Sequence, residues 1–326
     1  MLRALALALL VAACAPPERL PEAAPETARR PAPASLQSRL EALAAPFEGK
    51  IGIAVRDVSA GWTAAVAGDQ PFQQQSVFKT WVAAAVLDAA DRGALRLDET
   101  IRLTPAHLVY PYRPIEKEIG PTGRDFTLEE LIRWSVIHSD NAAVDALIDR
   151  VGGVEAVQTY LRRRNIAGIR VDMDERGLHN AAAEYRAAFN AAPASEQSAV
   201  LARVFGDLRN SATPVATADA LARLHRGELL SPASTALLLK IMDDTVTGPD
   251  RLKAGAGPGW GVAHKTGGGG DLGGATLGSN DVGLLTNPDG RVYAVAVFIW
   301  GSKRSAADRD RVTADVARAV VAHAQS

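Results

Sequence analysis

Residues 76–93 read Ser76-Val77-Phe78-Lys79-Thr80-Trp81-Val82-Ala83-Ala84-Ala85-Val86-Leu87-Asp88-Ala89-Ala90-Asp91-Arg92-Gly93. The spacing predicts one helix that stops at Gly93. Val77, Phe78, Trp81, Val82 and Ala83 to Leu87 leave it apolar on nearly every face, so it is a buried helix. Positions i and i+3 share a helix face, which brings the Ser76 hydroxyl and the Lys79 ammonium towards each other. A hydroxyl is a weak nucleophile and needs a neighbouring base. Lysine can serve as one where burial and nearby positive charge lower its pKa. A plainer reading fits the same residues, with Ser76 capping the helix and Lys79 solvated.

Outward from this helix the pattern changes on both sides. Upstream, Leu36 to Ala45 reads as an amphipathic helix. Ile51 to Val58 and Trp62 to Ala67 read as strands about the turn Ser59-Ala60-Gly61, a hairpin signal. Downstream, helices fit 128–138, 141–151, 154–163, 217–226 and 231–243. Near the end, Gly261 to Lys265, Val282 to Thr286 and Val292 to Trp300 read as strands, and Ala306 to His323 as an amphipathic helix. Strands at both chain ends must meet in one sheet covered by the terminal helices. The expected fold is therefore α/β: an antiparallel sheet built from both chain ends with flanking terminal helices, plus an all-α subdomain. Residues 36–70 and 215–326 form mainly the α/β part and 71–214 mainly the helical part. The site belongs in the cleft between them.

The 326 residues are 47% hydrophobic and carry 36 Lys plus Arg against 37 Asp plus Glu, a net charge of -1. Without a basic block, nucleic-acid binding is not expected. The six histidines show no metal-ligand spacing and Cys14 is the only cysteine, so neither metal nor other cofactor is expected. Met1-Leu2-Arg3 and the apolar run Ala4 to Ala13 suit a secretory signal, and Val11-Ala12-Ala13-Cys14 resembles a bacterial lipobox. Residues 1–14 are thus expected to be a lipoprotein-type signal, with Cys14 the lipidated residue, although an ordinary signal peptide fits as well. Residues 15–35, rich in Pro and Ala, cannot bury a core and read as a tether. A monomer in the periplasm, touching the membrane through that anchor alone, is the expectation.

Two further segments carry chemistry. Thr127-Leu128-Glu129-Glu130 is a capping box, and Ser139-Asp140-Asn141 lies on the tight link between the two helices that follow. Ser139 could pass a proton to a leaving nitrogen and Asn141 could donate its amide to a substrate carbonyl; equally, the triplet could simply cap the second helix. Lys265-Thr266-Gly267-Gly268 ends a strand and opens a glycine tract, where a substrate backbone can approach closely. Lys265 offers charge and Thr266 a hydroxyl to a substrate carboxylate.

With Ser-x-x-Lys, Ser-Asp-Asn and Lys-Thr-Gly in this order, the chain resembles class A β-lactamases and penicillin-binding proteins. The resemblance runs from about residue 36 to the C-terminus and implies acylation of Ser76 by a small-molecule β-lactam. It also implies that Gly268 and Ser76 supply backbone N–H groups to an oxyanion hole. By the same resemblance Tyr112 lines the entrance and Arg251 binds the substrate carboxylate, unless Arg251 is a surface charge. Glu175, in the stretch Glu175-Arg176-Gly177-Leu178-His179, matches the loop glutamate that activates water for deacylation. The family commonly has asparagine four residues later. Here His179 stands there, as in the PER-like group, although Asn180 could be the orienting amide instead. Thr247 to Lys253, Ala263 to Gly267 and Asn280-Asp281 agree with that group. The chain departs from the family in a longer segment after Glu175, where 183–208 read as helical and alanine-rich. Two other functions share most of these residues: a cell-wall D,D-peptidase, which lacks fast deacylation, and a penicillin-binding sensor domain that does not hydrolyse.

Overall fold

Both ends of the chain feed one sheet. The computed structural model describes residues 30–326, so the expectations for Cys14, the signal and nearly all of the tether lie outside the described residues. The first part runs α1 (Ala34–Ala44), β1 (Lys50–Asp57), β2 (Thr63–Val66), β3 (Phe72–Gln73) and a 3-10 turn (Gln75–Phe78). The helical part contains α2 (Lys79–Asp91), β4 (Thr100–Leu103), β5 (Arg124–Thr127), α3 (Leu128–Ile137), α4 (Asn141–Val151), α5 (Val154–Arg163), α6 (Glu175–Ala191) and α7 (Ala194–Val204). The return to the sheet comprises β6 (Ser211–Ala212), α8 (Pro214–His225), α9 (Pro232–Asp243), α10 (Leu252–Ala256), β7 (Gly261–Gly268), β8 (Asp271–Leu272), β9 (Ala275–Thr276), β10 (Ser279–Thr286), β11 (Val292–Trp300) and α11 (Ala306–Ala324).

The main sheet is antiparallel with strand order β2-β1-β11-β10-β7. Alternation along β1 and β11 sorts the core into two layers. Ile53, Val55, Val295, Val297 and Ile299 pack towards α1 and α11 with Leu40, Val316 and Val320. Ala54, Ala294, Ala296 and Phe298 face the other way, towards α8 and the helical part. The alanines on that face let α8 lie close to the sheet. Central β11 is buried along all nine residues, as a strand covered on both faces must be. These placements agree with the sheet, its flanking helices and the helical part expected from the sequence.

Helix α2 runs through the core with Lys79 to Ala89 all buried. Its one buried acid, Asp88, is matched by Arg92, Arg163 and Arg164. The Thr127–Glu130 capping box forms as expected. Asp140 caps α4 through the Ala143 N–H, while its other oxygen takes the Ile115 N–H.

The largest departure from the sequence reading is at Glu175. It was expected on a loop, with helix beginning near 183; instead it is the first residue of α6, a 17-residue helix. Gly177, His179 and Asn180 are weak helix formers, which hides the start. Asp174 caps it through the Gly177 N–H at 2.7 Å. Strand β7 also runs three residues beyond Lys265, pairing Gly268 with Ser279. Helices α6 and α7 share a small core, in which Val200 and Val204 meet Leu272 and Leu277 of the glycine-rich hairpin.

Candidate active site

A cavity of about 440 Å³ opens between the sheet edge and the helical part. Ser76, Ser139, Asn141, Glu175, Thr266, Gly268, Arg251, Tyr112 and His179 all line it. Lys79 and Lys265 do not; both are fully buried behind it. The two lysines therefore act on the cavity through the groups they hold.

Ser139 is the meeting point. It occupies the left-handed region at φ 58°, a conformation that costs a non-glycine residue about 1–3 kcal/mol and persists only where the surroundings impose it. Its carbonyl accepts from Lys79 Nζ at 2.7 Å and its hydroxyl oxygen from Lys265 Nζ at 2.9 Å. Burial, reinforced by the nearby Lys79 charge, pushes the Lys265 ammonium well below the usual lysine range. Lys265 Nζ also donates to Thr266 O, so its charge sits behind Thr266. The Thr266 hydroxyl is 2.6 Å from that of Thr247.

Lys79 Nζ makes two further contacts, to Asn141 Oδ1 at 2.5 Å and Glu175 Oε1 at 3.0 Å. A cation can be met only by the amide oxygen, which leaves the Asn141 NH2 for the cavity. Three acceptors around one nitrogen match the three N–H bonds of an ammonium. Among the described residues no hydrogen bond joins Lys79 to the Ser76 hydroxyl, contrary to the direct approach the i, i+3 spacing suggested. The 3-10 turn and the pull of those three acceptors account for this.

Two backbone donors belong to residues that line the cavity. Ser76 N–H has no hydrogen-bond partner among the described residues. Gly269 N–H donates to Gly278 O across the ladder, so by strand alternation the Gly268 N–H points to the opposite, outer edge. Consistent with that phase, the carbonyls of His264 and Thr266 are taken from outside the sheet by Thr245 and Lys265.

Arg251 is not a loose surface charge. Its Nε donates to Asp310 at 2.7 Å and Nη1 to Asn280 O at 2.9 Å, leaving N–H groups for the cavity. Tyr112 is half exposed at the rim. His179 lies one turn after Glu175 and lines the cavity while Asn180 does not; neither side chain hydrogen-bonds to Glu175. His264 and His138 sit beside the motifs: His264 pairs with Asp281 in the core and the His138 ring lies tilted against Trp134.

Glu175 is set by a residue the sequence reading missed. The Asp145 carboxylate accepts the Glu175 N–H at 2.8 Å, the Arg176 N–H at 3.1 Å and the Tyr110 hydroxyl at 2.5 Å. Burial pushes the Asp145 carboxyl up to about 6 against these bonds. One signal was available: Asp145 interrupts the apolar run Ala142-Ala143-Val144-Asp145-Ala146-Leu147-Ile148 of α4, and a carboxylate there must have partners. Among the described residues no three His, Cys, Asp or Glu side chains gather as a metal set.

A serine hydroxyl, two outward N–H groups, a carboxylate and a fixed arginine thus share one cavity, which suits acyl transfer through a serine ester. The model of the beta-lactamase enzyme family matches residues 35–324, and the chain belongs to that family. It is 31% identical over 284 residues to the extended-spectrum β-lactamase PER-1 of Pseudomonas aeruginosa, covering 87% of this chain and 85% of that one. Identity to β-lactamase VEB-1 of the same organism is 29% over 287 residues, covering 87% and 88%. Among solved structures, a β-lactamase from Chitinophaga pinensis superposes with a TM-score of 0.77 at 33% identity, covering 89% of this chain and 99% of that one. The TLA-3 extended-spectrum β-lactamase gives 0.79 at 26% identity, covering 90% and 99%.

Proposed function

We propose that this cavity hydrolyses β-lactams through an acyl-enzyme on Ser76. The observation that carries the proposal is Glu175, whose carboxylate shares the cavity with Ser76 and lies 3.0 Å from Lys79. A penicillin binder needs the serine; a lactamase also needs a base for water.

Arg251 and Thr266 receive the substrate carboxylate, with the Lys265 charge behind Thr266. The Asn141 amide takes the side-chain carbonyl, and Tyr112 and His179 border the entrance. Ser76 Oγ attacks the lactam carbonyl, whose oxygen is drawn to the N–H groups of Ser76 and Gly268. The C–N bond breaks and the nitrogen takes the Ser139 hydroxyl proton, which Lys265 or solvent replaces. Water then gives a proton to Glu175 and attacks the ester; Ser76 leaves with that proton restored. For acylation, Lys79 and water held on Glu175 are both candidate bases. The proton that Ser76 gives to either base passes on to solvent, so that Glu175 is a carboxylate again before it takes a proton from the hydrolytic water. Asp145 holds the helix end that carries Glu175.

Continuous turnover of a chromogenic cephalosporin is expected. A single stoichiometric burst would favour the D,D-peptidase or sensor readings. Location follows from sequence alone: export to the periplasm, with a lipid on Cys14. Among the described residues no helix is long and apolar enough to cross a membrane. Cys14→Ser should release the mature protein from membranes; undiminished membrane association would refute the anchor.

A further inference from the structure

The turn before Ser76 is held by a buried amide that the mechanism above does not use. Gln75 sits in the left-handed region at φ 49°, where a side chain is strained. Next to it, Asn280 of β10 is 1% exposed. Its Nδ2 donates to Gln73 O at 2.9 Å and to Gln74 O at 3.0 Å. Its Oδ1 accepts the Ile299 N–H at 3.2 Å, which anchors it to the central strand. Its own carbonyl accepts from Arg251 Nη1. From the other side, buried Gln74 accepts from Trp81 Nε1 at 2.9 Å and donates to Arg170 O at 2.7 Å. Gly267 makes room: a Cβ there would come within 2.4 Å of Gln74 O.

We propose that Asn280 is a positioning residue for the reaction, whose amide holds the Gln73 and Gln74 carbonyls so that the strained Gln75 turn presents the Ser76 N–H to the cavity. The same residue, through its main chain, fixes Arg251. It thereby sets the distance between the point where the substrate carboxylate is held and the point where its carbonyl reacts. A relaxed turn would rotate the Ser76 peptide, and an oxyanion donor displaced by about 1 Å loses most of its effect.

This inference rests on the proposed acylation of Ser76. The test uses the whole folded domain and a slowly deacylated β-lactam. Acylation is followed by stopped flow, and the ester carbonyl stretch of the adduct by infrared difference spectroscopy. That stretch reports directly on hydrogen bonding to the carbonyl oxygen. Asn280→Ala removes both donors; Asn280→Asp keeps the shape and the bond from Ile299 but turns oxygens towards two carbonyls. Both variants are expected to acylate at least about tenfold more slowly, with a carbonyl band shifted to higher wavenumber and broadened. A lower melting temperature with unchanged acylation and an unmoved band would reduce Asn280 to a structural role and overturn the proposal, as would failure of both variants to fold. If the unaltered enzyme forms no adduct on Ser76, the proposed function itself has failed; if it does and the variants match it, only the role of Asn280 has.

Discussion

Asp145 makes a test of how the Glu175 end of α6 is held. In the unfolded chain its carboxyl titrates near the ordinary aspartate value of 3.8; in the fold, burial raises this to about 6. Between those values the folded protein binds more protons than the unfolded chain, so stability falls as pH rises. The contribution is fully present below about pH 4 and is lost as pH passes through about 6. A separation of about two pH units corresponds to about 3 kcal/mol. Asp145→Asn removes the titration and keeps one oxygen to accept the Glu175 N–H. Other titrating groups cancel when variant and wild type are compared at each pH. Urea unfolding at pH 4, 5, 6 and 7 should therefore show the variant gaining up to about 3 kcal/mol on the wild type across the range. A difference that stays constant within about 0.5 kcal/mol, judged against that expected span, would refute a buried, burial-raised carboxyl at this position.

Arg251→Ala should lower kcat/KM by about 10- to 100-fold, chiefly through KM, because a charge-assisted hydrogen bond contributes about 1.5–3 kcal/mol. The loss should vanish for a substrate whose carboxylate is esterified, and an equal loss for both substrates would remove Arg251 from recognition. Gly255→Ala should destabilise the fold by about 1–3 kcal/mol, read by calorimetry. Its Cβ would lie 2.0 Å from the Ala314 carbonyl oxygen, pressing α10 off α11; an unchanged melting temperature would contradict that packing.

The alternation of Ile53, Ala54 and Val55 and the unbroken apolar run of β11 made the sheet legible, because side-chain period alone assigns strand faces. The Thr127–Glu130 capping box and the paired Gly152-Gly153 made the helix limits around Ser139 legible too, since caps are local chemistry. Ser76, Ser139 and Lys265 lie on such locally determined elements. The start of α6 was not readable, because its cap comes partly from Asp145 on another helix, 30 residues away in sequence. The same holds for Asn280, which lies more than 200 residues from the turn it holds. Nor could spacing reveal that Lys79 bonds to Ser139 and Asn141 and pairs with Glu175; that depends on which acceptors the tertiary fold delivers.

The central claim is that Glu175 clears an ester from Ser76. Glu175→Gln keeps the side chain's size while removing its basicity. Mixed with a good β-lactam substrate and examined by mass spectrometry of the intact protein and its peptides, this variant should accumulate one substrate mass on Ser76 that persists for minutes to hours, while the wild type shows none at steady state. Turnover by Glu175→Gln at the wild-type rate, or an adduct on any residue other than Ser76, would contradict the account.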